Sequence, residues 1–255
     1  VTLTYSFPDS LPIYYATLDE DNGTFQPFTP KMRQATREIL KEVYSDRYGL
    51  NFVEVSDNVG GVFRFGMIDN VDAIAYAYLP PTFGANPNDN FGLPGDIWAE
   101  LDFLYESVDE NGDEITMGWF DDWALEKGSD LYLALIHEVG HAIGLDHPFG
   151  ETEPGNPVLR PQVNNHEYTT MSYTRSVNIP DPAFPLTDGP ATTMLYDEYA
   201  IADLYGRNTE VNKEDNVYRW SPNEHDLYSE TIFDPSGVDT LNFSNYTPSA
   251  TIDLR

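Results

Sequence analysis

Four side chains in the twelve-residue run HEVGHAIGLDHP, residues 137–148, carry the chemistry this sequence offers most plainly. His137 and His141 stand four residues apart, so on a helix they share one face with their backbones about 6 Å apart. Two imidazole nitrogens at that separation can reach one Zn²⁺ at about 2.0–2.1 Å each. Gly144 permits a sharp turn after the helix, and the turn swings His147 back as a third ligand. Glu138, offset around the helix, can touch a water on the metal without displacing it. Three neutral protein ligands leave the fourth position open to water, which marks a catalytic and not a structural zinc site. Zinc lowers the pKa of that water towards ~7 and polarises a bound carbonyl. Glu138 can then take the water's proton and pass it to a leaving amine, which is the chemistry of peptide hydrolysis.

These residues need a rigid helix. Ser129 can cap one and Asp130 suits its positive end, and Gly144 stops it, which predicts a helix over about 129–144. Before it, Val1–Ser6 alternates as an opening strand, and Thr29-Pro30 starts a helix whose apolar positions Met32, Ala35, Ile39, Val43 and Tyr44 run up to Gly49. Strands are expected at Asn51–Val55, Val62–Met67, Ala73–Leu79 and Gly95–Phe103, with a Pro/Gly/Asn-rich loop over 80–96. The run DENGDE at 109–114 fails the EF-hand pattern and reads as an acidic turn. Residues 148–192 should be mostly irregular, and a late helix is expected over 194–205, ended by Gly206. From Asn212 the pattern changes to short strand-like pieces. The elements read as an α/β (α+β) chain with an active-site helix and a mostly irregular C-terminal subdomain in residues 1–207, and the family resemblance given below implies a twisted mixed sheet. The start of a β-rich unit follows in residues 208–255.

The spacing HExxHxxGxxH fixes five positions in a chain with five histidines, and it is the metzincin signature. Within that clan the sequence most resembles the serralysins, secreted bacterial zinc metalloproteases. Thr170-Met171-Ser172-Tyr173 matches the Met-turn, at about 169–174. The resemblance implies that Met171 forms an apolar floor under the imidazoles. It also implies that Tyr173 ligates zinc at rest and swings away to stabilise the oxyanion, roles open to a phenol. Leu3–Phe7, Ala75–Pro80, Pro148 and Asp203–Gly206 also look like family segments. Near the end, Asp234, Ser236, Gly237 and Asp239 resemble a family calcium loop, paired with the backbone around Asn212, Glu214 and Asn216; a simple hairpin turn is the other reading. Pro235, Ser236 and Glu214 depart from the usual residues. The glycine-rich calcium repeats that follow in serralysins are absent from these 255 residues. Matrixins and astacins fit less well, because the former use further histidines for a second zinc and the latter carry disulfides. His166 and His225 read as polar surface residues.

Composition bounds the setting. The chain carries 43 acidic and 13 basic residues, a formal net charge of −30, and no cysteine. Such charge repels nucleic acid and anionic membranes, so neither is an expected partner. The acidity reads either as a solvating surface or, in part, as calcium-binding loops. Without cysteine, thiol nucleophiles, iron–sulfur clusters and Cys-ligated zinc are excluded. No apolar run approaches the ~20 residues of a membrane span and no signal-peptide pattern opens the chain, as for a mature form or a trimmed one. The resemblance implies a secreted, extracellular and monomeric endopeptidase, with protein or peptide substrates and a proteinaceous inhibitor as a further partner. The rival hypothesis is a zinc- and calcium-binding surface or adhesion module with little proteolysis. Glu138 separates the two, since it is the base a pseudoenzyme would have lost.

Overall fold

The protein is described by a computed structural model over residues 1–12, 24–69, 73–80, 94–101, 104–108, 114–118, 124–150, 158–176, 189–220 and 228–247. Residues 109–113 of the acidic run, 81–93 of the expected loop, and His225 lie outside the described residues.

The first strand, β1 (Thr2–Ser6), is followed by β2 (Phe25–Pro27) and helix α1 (Pro30–Glu38). Thr29 caps α1 by accepting from the Met32 N–H, and proline sits at the first turn, where no intrahelical donor is needed. The expected helix does not run as one α-helix up to Gly49. From Ile39 to Ser45 it widens into a π-helix, which still buries Ile39, Leu40, Val43 and Tyr44. Five further strands come next: β3 (Asn51–Glu54), β4 (Phe63–Ile68), β5 (Ala75–Ala77), β6 (Ile97–Glu100) and β7 (Leu104–Val108).

The sheet runs β3-β1-β4-β6-β5, and β2 takes over the edge of β4 where β1 ends. Pairings β1–β3, β1–β4 and β4–β6 are parallel, whereas β2–β4 and β5–β6 are antiparallel, so the sheet is mixed as expected. Strand β7 pairs antiparallel with β8 (Glu114–Gly118), placing strands on both sides of the acidic run. Sequence periodicity missed β2, β7 and β8, which are only three to five residues long.

Helix α2 (Asp130–Ala142) is capped by Ser129, which accepts from the Tyr132 N–H. It is apolar around most of its circumference: Leu131, Tyr132, Leu135, Ile136 and Val139 are all buried. A helix of that kind belongs in the middle of a core, and α2 packs against β5, β6 and the π-helix. The Tyr44 hydroxyl donates to the Ile136 carbonyl at 2.6 Å, tying the π-helix to the middle of α2. Beneath the sheet, Tyr5, Phe7, Phe28 and Phe65 form an aromatic cluster with ring centroids 5.7–6.2 Å apart.

Helix α3 (Leu195–Tyr205) ends at Gly206 as expected. The described parts of 148–192 contain neither helix nor strand. A parallel pair, β9 (Val217–Arg219) and β10 (Thr240–Asn242), supplies the late β-structure. The chain leading to β10 docks on the first part through Arg47. This buried side chain donates to Glu198 on α3 at 3.0 Å and to the Thr231 carbonyl at 2.9 Å.

Candidate metal centre

The end of α2 builds the site. Gly144 has φ +109°, a region other residues rarely adopt. There the Leu145 N–H reaches the Gly140 carbonyl and the Gly144 N–H reaches the His141 carbonyl, both at 2.9 Å. That pair of bonds is a Schellman closure, and it satisfies carbonyls the helix leaves orphaned. It also presents the Leu145 carbonyl to His141, whose Nδ1 donates to it at 2.8 Å. Three residues past the glycine, His147 folds back over the helix end, its N–H held by the Asp146 carboxylate at 2.8 Å.

His137 Nδ1 donates to the Thr170 carbonyl at 2.8 Å. A carbonyl can only accept, so both helical histidines carry the proton on Nδ1 and leave the Nε2 lone pair free for a metal. The three Nε2 atoms converge: His147 Nε2 lies 3.2 Å from that of His137 and 3.0 Å from that of His141. Tetrahedral zinc with bonds of 2.0–2.1 Å sets its nitrogens about 3.3 Å apart. The triad therefore fits zinc. Among the described residues it is the one group of three His, Asp or Glu side chains whose ligand atoms converge. Burial drives the His137 pKa down to about 3 and the His141 pKa to about 4, and lowers that of His147, so all three are held in the neutral form a metal needs.

The Tyr173 hydroxyl sits 2.8 Å from His147 Nε2, on the histidine cluster, and its ring stacks on His137. The residue is nonetheless 68% exposed, so the ring is open to solvent away from its contacts with the histidines. Phe149 lies flat against His147, with centroids 5.0 Å apart. Glu138 is buried, one carboxylate oxygen has no hydrogen-bond partner among the described residues, and burial pushes its pKa up to about 8. An unpaired carboxylate oxygen at such a site is a proton acceptor in waiting. Glu138, His137 and Tyr173 border a cavity of about 490 Å³.

Met171 is 2% exposed and lies beneath the helix, where a Cβ added to Gly140 would come within 2.8 Å of its sulfur. The Met-turn is in turn pinned from α3. Asp197, also 2% exposed, accepts from the Thr169 and Thr170 hydroxyls at 2.6 and 2.9 Å and from the Thr170 and Met194 N–H groups at 2.7 and 2.9 Å. Sequence reasoning missed Asp197 and Gly140, and gave Thr170 no role beyond its place in the Met-turn. An acid three residues into a helix and a glycine inside one were the available signals. His166 is no plain surface residue: it is half-buried, bonds the Ser172 carbonyl through Nε2 at 2.7 Å, and lines the cavity.

The second residue group also comes together. Asn212 donates to the Phe233 carbonyl at 2.9 Å, and the Asn216 N–H to Asp239 at 2.9 Å. The Asn216 amide bridges the Glu214 carbonyl at 2.7 Å and Asp234 at 3.3 Å. Asp234 also accepts from Tyr218 and from the Ser236 N–H. Gly237, at φ +127°, passes so close that a Cβ would meet the Glu214 carbonyl. These oxygens are thus engaged by donors of the chain itself.

A mixed α/β domain with three convergent histidines and a buried carboxylate beside them has the arrangement of a one-zinc site. No family model matches the chain. Among curated proteins it is similar to Serralysin of Photorhabdus sp. (strain Az29), 25% identical over 99% of this chain and 50% of the relative. It is likewise similar to Metalloprotease AprA of Pseudomonas entomophila (strain L48), 27% identical over 100% of this chain and 51% of the relative. Serralysin B of Dickeya chrysanthemi is 28% identical over 99% and 51%. The resemblance to serralysin-type metalloproteases thus extends along the whole chain, which spans about half the length of these relatives.

Proposed function

We propose that this chain is a secreted zinc endopeptidase domain that hydrolyses internal peptide bonds of proteins. The observation that carries the reading is the triangle of His137, His141 and His147 Nε2 atoms, with Glu138 and Tyr173 on the adjoining cavity. Zinc held by the three histidines would acidify a water and polarise the scissile carbonyl. Glu138, with its free oxygen, takes the proton from the attacking water and delivers it to the departing amine. Burial raises its proton affinity, which suits a group that must both accept and return a proton near neutrality. The Tyr173 hydroxyl, freed from His147, donates to the oxygen on which charge develops.

Peptide substrates suit the sheet. Strand β5 is the terminal strand in the sheet order, it packs on α2, and Ala75 borders the cavity. An extended peptide can pair with such an edge through its main chain, which positions the scissile bond irrespective of sequence. Calcium at Asp234–Asp239 belongs to the same proposal, as do the extracellular setting and the single-chain state. A heavily acidic surface without cysteine is consistent with all three. The test is casein hydrolysis by the zinc-loaded chain with and without a chelator, beside Glu138→Gln. We expect that variant to keep one zinc per chain and lose about 10²–10⁴-fold in turnover. Retention of more than about a tenth of the rate would remove Glu138 from its role.

A further inference from the structure

The cavity beside the histidines runs along one face of α2. Asp130, Leu133, Ala134 and His137 all border it, at the i, i+3, i+4, i+7 positions of that face. From Asp130 to His137 the helix rises about 10 Å, so the cavity borders a stretch of helix longer than a short side chain spans. Beside its polar groups the lining includes the apolar side chains Ile74, Leu133 and Ala134. Its far end is different: Arg175, two residues beyond Tyr173, donates through Nη2 to both Asp130 oxygens, at 2.8 and 2.6 Å. This ion pair joins the first turn of α2 to the segment after the Met-turn, and neither partner is fully buried.

We propose, resting on the peptidase reading, that the Asp130–Arg175 pair is the floor of a substrate side-chain subsite. At one of the two positions flanking the cleaved bond, the subsite selects a long side chain with an apolar body and an uncharged polar tip, tyrosine above all. The body fills the slot between Ile74 and Leu133. A phenol can donate to Asp130 or accept from Arg175 without facing a like charge. A charged tip would meet its like charge in the pair as well as its opposite, so attraction and repulsion largely offset while the tip still loses water. A small side chain would leave the slot unfilled.

The experiment profiles zinc-loaded protein against peptides carrying Ala, Leu, Phe, Tyr, Arg or Glu at each flanking position, with products read by mass spectrometry. Zinc content per chain checks the folding of every variant. The wild type should favour Tyr over Ala, Arg and Glu by about tenfold or more at one position. Arg175→Gln leaves the Asp130 carboxylate at the floor and should raise Arg relative to Glu by about tenfold, and Asp130→Asn should do the opposite. Identical profiles for wild type and both variants would overturn the proposal. If an ion-pair variant fails to hold zinc, Ala134→Met shortens the slot without touching the pair. It should move preference from Tyr towards Ala, and an unmoved preference counts against the subsite. If the wild type cleaves no peptide, the peptidase reading itself fails. Calorimetric binding of the same peptides then decides the floor: tighter binding of Tyr peptides, with the same variant shifts, supports it, and equal affinities overturn it.

Discussion

The imidazole of His137 and the carbonyl of Thr170, 33 residues apart in the chain, share a 2.8 Å hydrogen bond that sets which nitrogen of His137 can bind a metal. Thr170 is itself held by the buried Asp197 carboxylate of α3 through both its N–H and its hydroxyl. Asp197 therefore positions, through Thr170, an imidazole that it does not touch. Asp197→Ala would leave several buried donors unsatisfied. We expect a loss of at least about 3 kcal/mol in denaturant unfolding and of about 10–100-fold in zinc affinity. Asp197→Asn, which keeps the shape, should recover part of both. Zinc titration showing unchanged affinity in Asp197→Ala would disprove the coupling.

Gly140 pits local preference against packing. Alanine in a helix interior gains up to about 1 kcal/mol over glycine. Here its Cβ would sit 2.8 Å from the Met171 sulfur, inside contact distance. Gly140→Ala is expected to destabilise by about 1–3 kcal/mol despite the better helix propensity. In a double-mutant cycle with Met171→Ala the two losses should add to less than their sum. Strict additivity would show that the sulfur is not what the glycine accommodates.

Tyr173 is so exposed that its phenol contributes little to folding. Tyr173→Phe should leave the melting temperature in place and lower kcat by about 10²-fold, with KM nearly unchanged, if the hydroxyl serves the developing oxyanion. A rise in KM at constant kcat would assign the tyrosine to substrate binding instead.

The zinc-free protein should be most stable near pH 6.5. His137 and His141 have folded pKa values of about 3 and 4, below the 6.5 of an unfolded histidine, so between pH 5 and 6.5 the unfolded chain takes up two protons that the folded chain refuses. Glu138, at about 8 in the fold, opposes this by one proton. His147, also lowered in the fold, adds to the histidine side, so the unfolded chain holds at least one proton more and stability falls as pH drops, by about 1.4 kcal/mol per unit or more. From 6.5 to 8 Glu138 acts alone. Its raised folded pKa makes stability fall as pH rises, by about the same slope. Unfolding midpoints in chelator should trace both limbs, and Glu138→Gln should flatten the alkaline one.

Calcium should stabilise the chain through Asp234–Asp239. A ligand specific to the folded state contributes about 2.7 kcal/mol at a hundredfold excess over its Kd, or about 2–4 °C of melting temperature per kcal/mol at this size. Magnesium at matched ionic strength controls for screening of the −30 charge. Asp239→Ala should erase any calcium-specific shift while zinc content holds. Equal shifts from the two ions would reduce the effect to screening.

Spacing alone determined the three histidines, Glu138, the cap at Ser129 and the turn at Gly144, because one helix and its closure place them all. Helical periodicity and local capping chemistry are written in contiguous residues, and the structure places them where those signals put them. The late helix was legible for the same reason; the mixed sheet was expected only from the family resemblance, and the short strands β2, β7 and β8 were not expected. What the tertiary structure decided was everything that crosses the chain. Thr170 fixes the proton on His137, Asp197 braces Thr170, Met171 presses on Gly140, and Arg175 meets Asp130 across the cavity. Each of these depends on two segments tens of residues apart packing at ångström precision. A buried acid that organises a turn has the same local sequence as an ordinary helix-capping acid, and only the packed core distinguishes them.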